Sequence, residues 1–233
     1  MAVITHEDPF DAALREHQAG HFAAAQALYG EVLERDSQNP DAMHLLGVLA
    51  LQTGRADAAL VLIERAIAIK PAAAFFGNLG IVLAALGKLD RAVDAYRRAI
   101  ASRPDFPEAH NNLGTALRQT GQAQAAIAAY RQAIVARPDF AEAHNNLGLA
   151  LCDAERIDDA IVHFRKAVAI LPQYAQARNN LGNAFHRRGD LRMAIPCWRE
   201  ALSLMPDLPE AHNNLGNAFK EMGRLDDAAD SFN

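Results

Sequence analysis

The stretch His110-Asn111-Asn112-Leu113-Gly114 recurs along the chain at a fixed step. Identical copies stand at 144–148 and 212–216, a near copy stands at 178–182, and weaker versions stand at 43–47 and 76–80. The glycines that end these copies are 34 residues apart from Gly80 to Gly216 and 33 residues apart from Gly47 to Gly80. A period of this length is typical of an array of helix pairs, so one structural unit is used repeatedly.

Each unit continues in the same order after this stretch. A second glycine, such as Gly121, is placed to end the first helix in the left-handed conformation. Small and large residues then follow at i, i+4 and i+7, as in Ala126, Tyr130 and Ala133, which is the spacing of one helical stripe. A proline that cannot continue a helix ends each unit, at Pro71, Pro104, Pro138, Pro172 and Pro206. We therefore predict helix, glycine turn, helix and proline stop in every unit.

Composition agrees with an all-α fold and narrows the function. Of the 233 residues, 51% are hydrophobic and 6% are aromatic, and alanine dominates, which favours close-packed helices. The net charge of -5 offers no basic stripe for nucleic acid. Cys152 and Cys197 have no ligand-spaced neighbours, so we expect free thiols and no metal. The uncharged segment 71–87 is too short for a membrane span, and with no signal peptide we expect a cytoplasmic protein that does not contact membranes.

The order of leucine and glycine in helix one, alanine, aromatic and alanine in helix two, and then proline, resembles the tetratricopeptide repeat. The resemblance implies an all-α, right-handed superhelical α-solenoid of tandem helix-turn-helix repeats, with first helices on its concave wall. It divides the chain into an N-terminal extension, 1–5, and an array, 6–233. The repeats are 6–39, 40–72, 73–106, 107–140, 141–174, 175–208 and an incomplete repeat at 209–233.

Two departures from the repeat pattern carry expectations. Glu155 stands where the other units have the turn glycine, and a left-handed non-glycine residue costs roughly 1 kcal/mol, so we predict an altered turn at 153–156. The sequence stops at Asn233 within a second helix, with no polar capping helix. Because natural arrays need such a cap, we expect a fragment of a longer protein, or an array that self-associates through its uncapped C-terminal end.

One asparagine per repeat falls on the predicted groove side of the first helix. At about 100° per residue, Asn112 shares a side with Glu108 and Thr115, whereas Leu113 and Gly114 share the other. The same position holds Asn78, Asn112, Asn146, Asn180 and Asn214. An amide donates and accepts at once, which suits an extended peptide backbone. The alternative is that these asparagines only hydrogen-bond neighbouring repeats, and the two roles are compatible. Their preceding neighbours Asn111, Asn145, Asn179 and Asn213 rank second.

The predicted groove changes character along the chain. Its early wall is apolar, with Leu45, Val48, Leu51, Ile81, Ala84 and Ala85. Its later wall is polar, where Asn183 and Asn217 join the peptide-binding set and Arg118, His186, Arg187 and Lys220 form a secondary set. A ligand with an apolar end and an acidic or polar end would fit.

The remaining candidates for chemistry have structural interpretations. His110, His144 and His212 lie whole repeats apart, so they cannot converge on a metal, and we expect them to fill a packing slot. Trp198 occupies the aromatic slot of its helix and is expected to be a core anchor. No catalytic constellation emerges, so we predict that this chain is not an enzyme and binds no cofactor.

The asparagine ladder also resembles the repeat region of protein O-linked N-acetylglucosamine transferases and their bacterial relatives. In that family the repeats bring protein substrates to a glycosyltransferase domain, and no catalytic residue of that domain maps onto this chain. The resemblance implies a scaffold that recruits a protein or peptide partner. The alternative is a stand-alone bacterial adaptor or assembly scaffold. A receptor for chaperone tails ranks last, because Ala74, Gly77 and Thr115 occupy much of the wall that would need lysine and arginine.

Overall fold

The computed structural model of the protein describes residues 8–232, apart from the side chains of Asp230 and Phe232. The expected N-terminal extension, 1–5, lies outside the described residues. Over the described range the chain forms fourteen α-helices and no strand, so the predicted all-α fold is confirmed.

The helices alternate between the two positions of a helix pair. The first helices are α1 (Pro9–Gln18), α3 (Pro40–Gln52), α5 (Ala73–Ala85), α7 (Pro107–Gln119), α9 (Ala141–Asp153), α11 (Ala175–Arg187) and α13 (Pro209–Glu221). The second helices are α2 (Phe22–Arg35), α4 (Ala56–Ile69), α6 (Leu89–Ser102), α8 (Ala123–Ala136), α10 (Ile157–Ile170), α12 (Leu191–Leu204) and α14 (Leu225–Phe232).

The helices group into two compact units, Met1–Ala116 and Leu117–Asn233. In the first unit each described helix from α1 to α6 packs on its neighbour in the chain, and the first helices α3 and α5 also touch. In the second unit α8 to α14 pack in the same way, and α11 touches both α9 and α13. Consecutive first helices therefore form a row within each unit.

Close packing inside a helix pair depends on the glycine of the repeated stretch. A Cβ atom added to Gly148 would lie 2.6 Å from Phe164, and one added to Gly182 would lie 2.6 Å from Trp198. Phe164 and Trp198 are almost completely buried. Glycine is required here because the aromatic ring of the second helix lies against the backbone of the first. The prediction that Trp198 anchors the core is confirmed.

The turn between the helices of a pair has the same backbone conformation in six of the repeats. Gly20, Gly54, Gly87, Gly121, Gly189 and Gly223 all have φ between 71° and 85°.

The expected change of this turn at Glu155 is wrong. Glu155 has φ 58°, its N–H donates to the Cys152 carbonyl at 3.1 Å, and Arg156 donates to the Leu151 carbonyl at 2.8 Å. Gly54 and Arg55 make the equivalent bonds at 3.0 and 2.8 Å. The two hydrogen bonds and the packed helices on either side hold the backbone in place, so Glu155 adopts the strained conformation instead of relaxing it.

The uncharged segment at 71–87 forms α5, which is 13 residues long and buries Phe75, Phe76, Val82 and Leu83. Its apolar side chains therefore serve the core between helix pairs. Within residues 8–232 no helix has the length and hydropathy that crossing a bilayer requires.

Candidate functional site

Two adjacent positions on the first helices carry most of the polar side chains of the candidate site. We call the predicted asparagine positions the ladder row: Asn78, Asn112, Asn146, Asn180 and Asn214. We call the positions directly before them, together with the equivalent position in α3, the flank row: His44, Gly77, Asn111, Asn145, Asn179 and Asn213.

In the second unit, ladder and flank residues of consecutive first helices bond to each other. The Asn180 amide nitrogen donates to Asn145 Oδ1 at 2.9 Å, and the Asn214 amide nitrogen donates to Asn179 Oδ1 at 3.1 Å. Asn145 and Asn179 are only 4% and 2% exposed, so these two flank residues are buried between the helices, whereas Asn213 on the last first helix is exposed. The ladder asparagines thus take part in stacking, which was the alternative interpretation of their repetition.

The first unit makes the same bond with a different flank residue. The Asn78 amide donates to His44 Nε2 at 2.8 Å, which requires a neutral imidazole. Burial lowers the pKa of His44 to about 4, so the imidazole is neutral at physiological pH. The His44 ring also stacks on Phe75, with 4.1 Å between ring centroids.

Asn112 differs from the other ladder residues because its flank position on α5 is Gly77, which has no side chain to accept a hydrogen bond. Among the described residues none forms a side-chain hydrogen bond with Asn112, which is half-buried. Its amide therefore keeps both its donors and its acceptor for another molecule.

The two later asparagines of the predicted peptide-binding set have different surroundings. Asn183 Oδ1 accepts from Trp198 Nε1 at 2.9 Å and from the Asn214 amide at 2.7 Å. It therefore ties α11 to both α12 and α13. Asn217 is exposed, and no side-chain hydrogen bond to it occurs within residues 8–232.

Three of the four residues of the secondary set contact carboxylates of other repeats. Arg118 Nε lies 2.7 Å from Asp153, His186 Nε2 lies 3.1 Å from Glu221, and Arg187 lies 2.9 Å from Glu155. Such exposed pairs contribute about 0–1 kcal/mol each. The charges of Arg118 and Arg187 are thus compensated by Asp153 and Glu155. Lys220, the fourth member, is exposed and has no ion-pair partner among the described residues.

The apolar side chains predicted for the early wall are partly accessible in the first unit. Ile81 is 39% exposed, Ala85 is exposed, and Leu45, Val48, Leu51 and Ala84 are half-buried. The first helices of this unit thus offer apolar surface beside the Asn78–His44 bond.

The histidines of the repeated stretch make a hydrogen bond that the sequence did not reveal. Nε2 of His110 donates to the Pro104 carbonyl at 2.8 Å, and Nε2 of His212 donates to the Pro206 carbonyl at 2.8 Å. His144 bonds the Pro138 carbonyl in the same way at 3.2 Å. The expectation of a packing role was incomplete, since each histidine fixes the turn that precedes its helix. The recurring six-residue spacing from proline to histidine was the signal.

A histidine pair joins α9 to α10. Nδ1 of His144 lies 3.0 Å from Nδ1 of His163. Because His144 donates through Nε2, its Nδ1 accepts, and His163 must donate through its own Nδ1. Burial lowers the pKa of both residues, that of His163 to about 4, and Lys166 contributes to the shift in each case. No cluster of three or more potential metal ligands occurs among the described residues.

The helix pairs, the repeated glycine-aromatic contacts and the positive-φ turns define an all-α helical-repeat protein. Models of the tetratricopeptide repeat match residues 16–76, 78–139, 114–175 and 146–192, and a further TPR repeat model matches residues 182–223. The chain belongs to the tetratricopeptide repeat family. No match is found among curated proteins.

Solved structures share the fold. The type IV pilus biogenesis factor PilW has a TM-score of 0.81 and 20% identity, over 88% of this chain and 96% of PilW. MamA has a TM-score of 0.63 and 26% identity, over 70% of this chain and 96% of MamA. YrrB, a TPR protein with an unusual peptide-binding site, has a TM-score of 0.64 and 20% identity, over 78% of this chain and 95% of YrrB.

Proposed function

We propose that the protein is a cytoplasmic protein–protein interaction scaffold that binds an extended segment of another protein along its first helices. The ladder row supplies one amide per repeat, and a peptide backbone offers both a donor and an acceptor at every residue. Asn112 is the observation that carries this proposal, because its half-buried amide has no hydrogen-bond partner among the described residues.

The bonds to the flank row leave acceptor sites on the ladder amides, and on Asn180 a donor hydrogen as well, whereas Asn214 already uses both donor hydrogens on Asn179 and Asn183. A carboxamide has two donor hydrogens and two acceptor sites, and the bond from Asn180 to Asn145 uses one donor hydrogen. The same bond fixes the orientation of the Asn180 amide, so less rotational freedom is lost when a ligand binds. Each added bond contributes only about 0.5–1.5 kcal/mol net, and affinity must therefore accumulate over several repeats.

Each unit by itself suggests the chemistry of a bound segment. In the first unit Leu45, Val48 and Ile81 would take apolar side chains, whereas in the second unit Asn217 and Lys220 would take polar or acidic ones. The similarity to YrrB, which has a peptide-binding site, is consistent with a peptide ligand for this fold.

Two kinds of protein are candidates for the one to which this repeat array belongs. The asparagine ladder favours the substrate-recruiting region of a protein similar to O-linked N-acetylglucosamine transferases. A stand-alone adaptor is favoured by the alignments to PilW and MamA, which cover 96% of each of those chains with repeats of this type. The reading frame beyond Asn233 distinguishes the two, because a glycosyltransferase domain there would support the first and a nearby stop codon the second.

A peptide array tests the binding proposal. The chain and a variant with Asn112, Asn146 and Asn180 replaced by alanine are compared on the same array of random extended peptides. The control variant replaces Gln124 and Gln132 by alanine, which removes two exposed amides of the second helix α8 and leaves the ladder and flank rows intact. We expect the ladder variant to lose most binding and the control to retain it below its melting temperature. Unchanged peptide binding by the ladder variant would refute the proposal.

A further inference from the structure

A second surface of the molecule lies away from the ladder row, where the start of α12 meets the end of α13. An open cavity of ≈ 570 Å³ is lined there by Arg188, Leu191, Arg192, Ile195 and Met222. Leu191 and Ile195 are half-buried, and Met222 is 48% exposed, so apolar atoms are accessible inside it.

The charges around this cavity do not cancel. Arg188 is compensated by Asp158 at 3.3 Å and Asp190 at 3.2 Å. Asp190 is also occupied at the helix start, where it accepts from the Met193 N–H at 3.2 Å. Arg192 is exposed, and the described part of the chain holds no ion-pair partner for it. The Arg192 guanidinium can therefore bind a negatively charged group of another molecule.

Arg199 extends the positive charge along the same helix face. It lies seven residues after Arg192, which places the two on one side of α12. It too has no ion-pair partner within residues 8–232, and its guanidinium lies 5.6 Å from the centre of the Phe219 ring. Two exposed arginines on one side of α12, each without an ion-pair partner within residues 8–232, favour an acidic partner at this surface.

Pro196 adds a hydrogen-bond acceptor on the same face. It lies inside α12 and has no N–H, so the carbonyl of Arg192 lacks the donor that normally comes four residues later. Both Arg192 and Pro196 are exposed. A peptide N–H can donate to such a carbonyl, whereas a phosphodiester group cannot, because it carries no N–H or O–H.

We propose that this face of α12 binds a protein segment that places an apolar side chain in the cavity and carboxylates on Arg192 and Arg199. The freed carbonyl of Arg192 accepts a backbone N–H of the same segment. The occupant is an acidic peptide with an apolar residue between its carboxylates, and this surface is distinct from the ladder row.

Fluorescence anisotropy with a labelled twelve-residue probe peptide tests this surface, the probe carrying a leucine between two pairs of glutamates. We expect Arg192→Gln to weaken binding of this probe about tenfold and to reduce the salt dependence of binding. Pro196→Ala restores the helical N–H without changing any charge, so it should raise the melting temperature and still weaken binding. The matched control is Arg131→Gln, an exposed arginine of α8 that does not line the cavity.

Binding measurements with variant chains and altered probes test the proposed surface on α12. The proposal is overturned if Arg192→Gln and Arg131→Gln bind the probe equally, or if a probe with glutamine in place of glutamate binds as well as the acidic one. It is also overturned if a single-stranded oligonucleotide displaces the probe at equal affinity, since that would indicate a site for phosphates. A variant with Asn112 and Asn146 replaced by alanine should bind the probe normally, which separates this surface from the ladder row.

Discussion

Replacing Asn180 by alanine is expected to destabilise the second unit through one identifiable bond. The substitution removes the donor to Asn145 Oδ1, which lies 2.9 Å away on the preceding first helix. Asn145 is 4% exposed, so its oxygen would be left without water. An unsatisfied buried acceptor costs about 1–3 kcal/mol. For a chain of this size, that corresponds to a fall of about 2–12 °C in the melting temperature.

A double-mutant cycle isolates the bond from the other effects of truncation. We expect Asn145→Ala and Asn180→Ala to be less destabilising together than the sum of the single changes. The coupling free energy, measured by urea unfolding, should be about 0.5–1.5 kcal/mol. The matched control couples Asn145 with Asn217, which is exposed and is not bonded to it. Additive losses at Asn145 and Asn180 would refute the idea that these rows connect the repeats.

Three further changes have defined expectations. Gly148→Ala forces a Cβ to within 2.6 Å of Phe164 and should cost about 1–3 kcal/mol, whereas Gly30→Ala, with nothing within 4 Å, should stabilise by up to about 1 kcal/mol in thermal melts. The pKa of His163 is lowered to about 4, so neutral His163 supports the fold above pH 6.5. The free energy of unfolding should therefore fall as the pH drops from 6.5 towards 4. A His163→Gln variant in which the unfolding free energy falls equally steeply with pH would contradict this. Replacing Glu155 by glycine should raise the free energy of unfolding in urea by about 1 kcal/mol, reduced slightly by the loss of an exposed ion pair. A variant less stable than the original chain would show that φ 58° at this position carries no strain.

The sequence predicted the fold well because the repeat imposes the same requirement several times. Gly148 and Gly182 recur for one physical reason, the close approach of an aromatic ring. A single glycine would not have indicated a close contact between two helices, whereas glycines at the same position of several repeats did. The turn at Glu155 failed as a prediction because propensity alone was considered, whereas packing on both sides and two hydrogen bonds determine the backbone.

The candidate site was predicted less completely, since hydrogen-bond partners depend on which helices become neighbours. The repetition of asparagine was visible in the sequence, but the bond from Asn214 to Asn179 spans 35 residues and follows from the stacking of first helices. The ion pairs of the later wall were not predicted from the sequence for the same reason. Arg118 and Arg187 find their acidic partners, Asp153 and Glu155, at positions that a linear pattern does not connect.

The most direct test of peptide binding by the ladder row is isothermal titration calorimetry on Asn112→Ala with a peptide selected from the array. Because Asn112 has no hydrogen-bond partner among the described residues and alanine favours a helix, its replacement should not lower the melting temperature. Loss of one hydrogen bond to the ligand, at about 0.5–1.5 kcal/mol, should raise the Kd about 2- to 12-fold. An unchanged Kd, or a weaker affinity that appears only together with a lower melting temperature, would contradict the account.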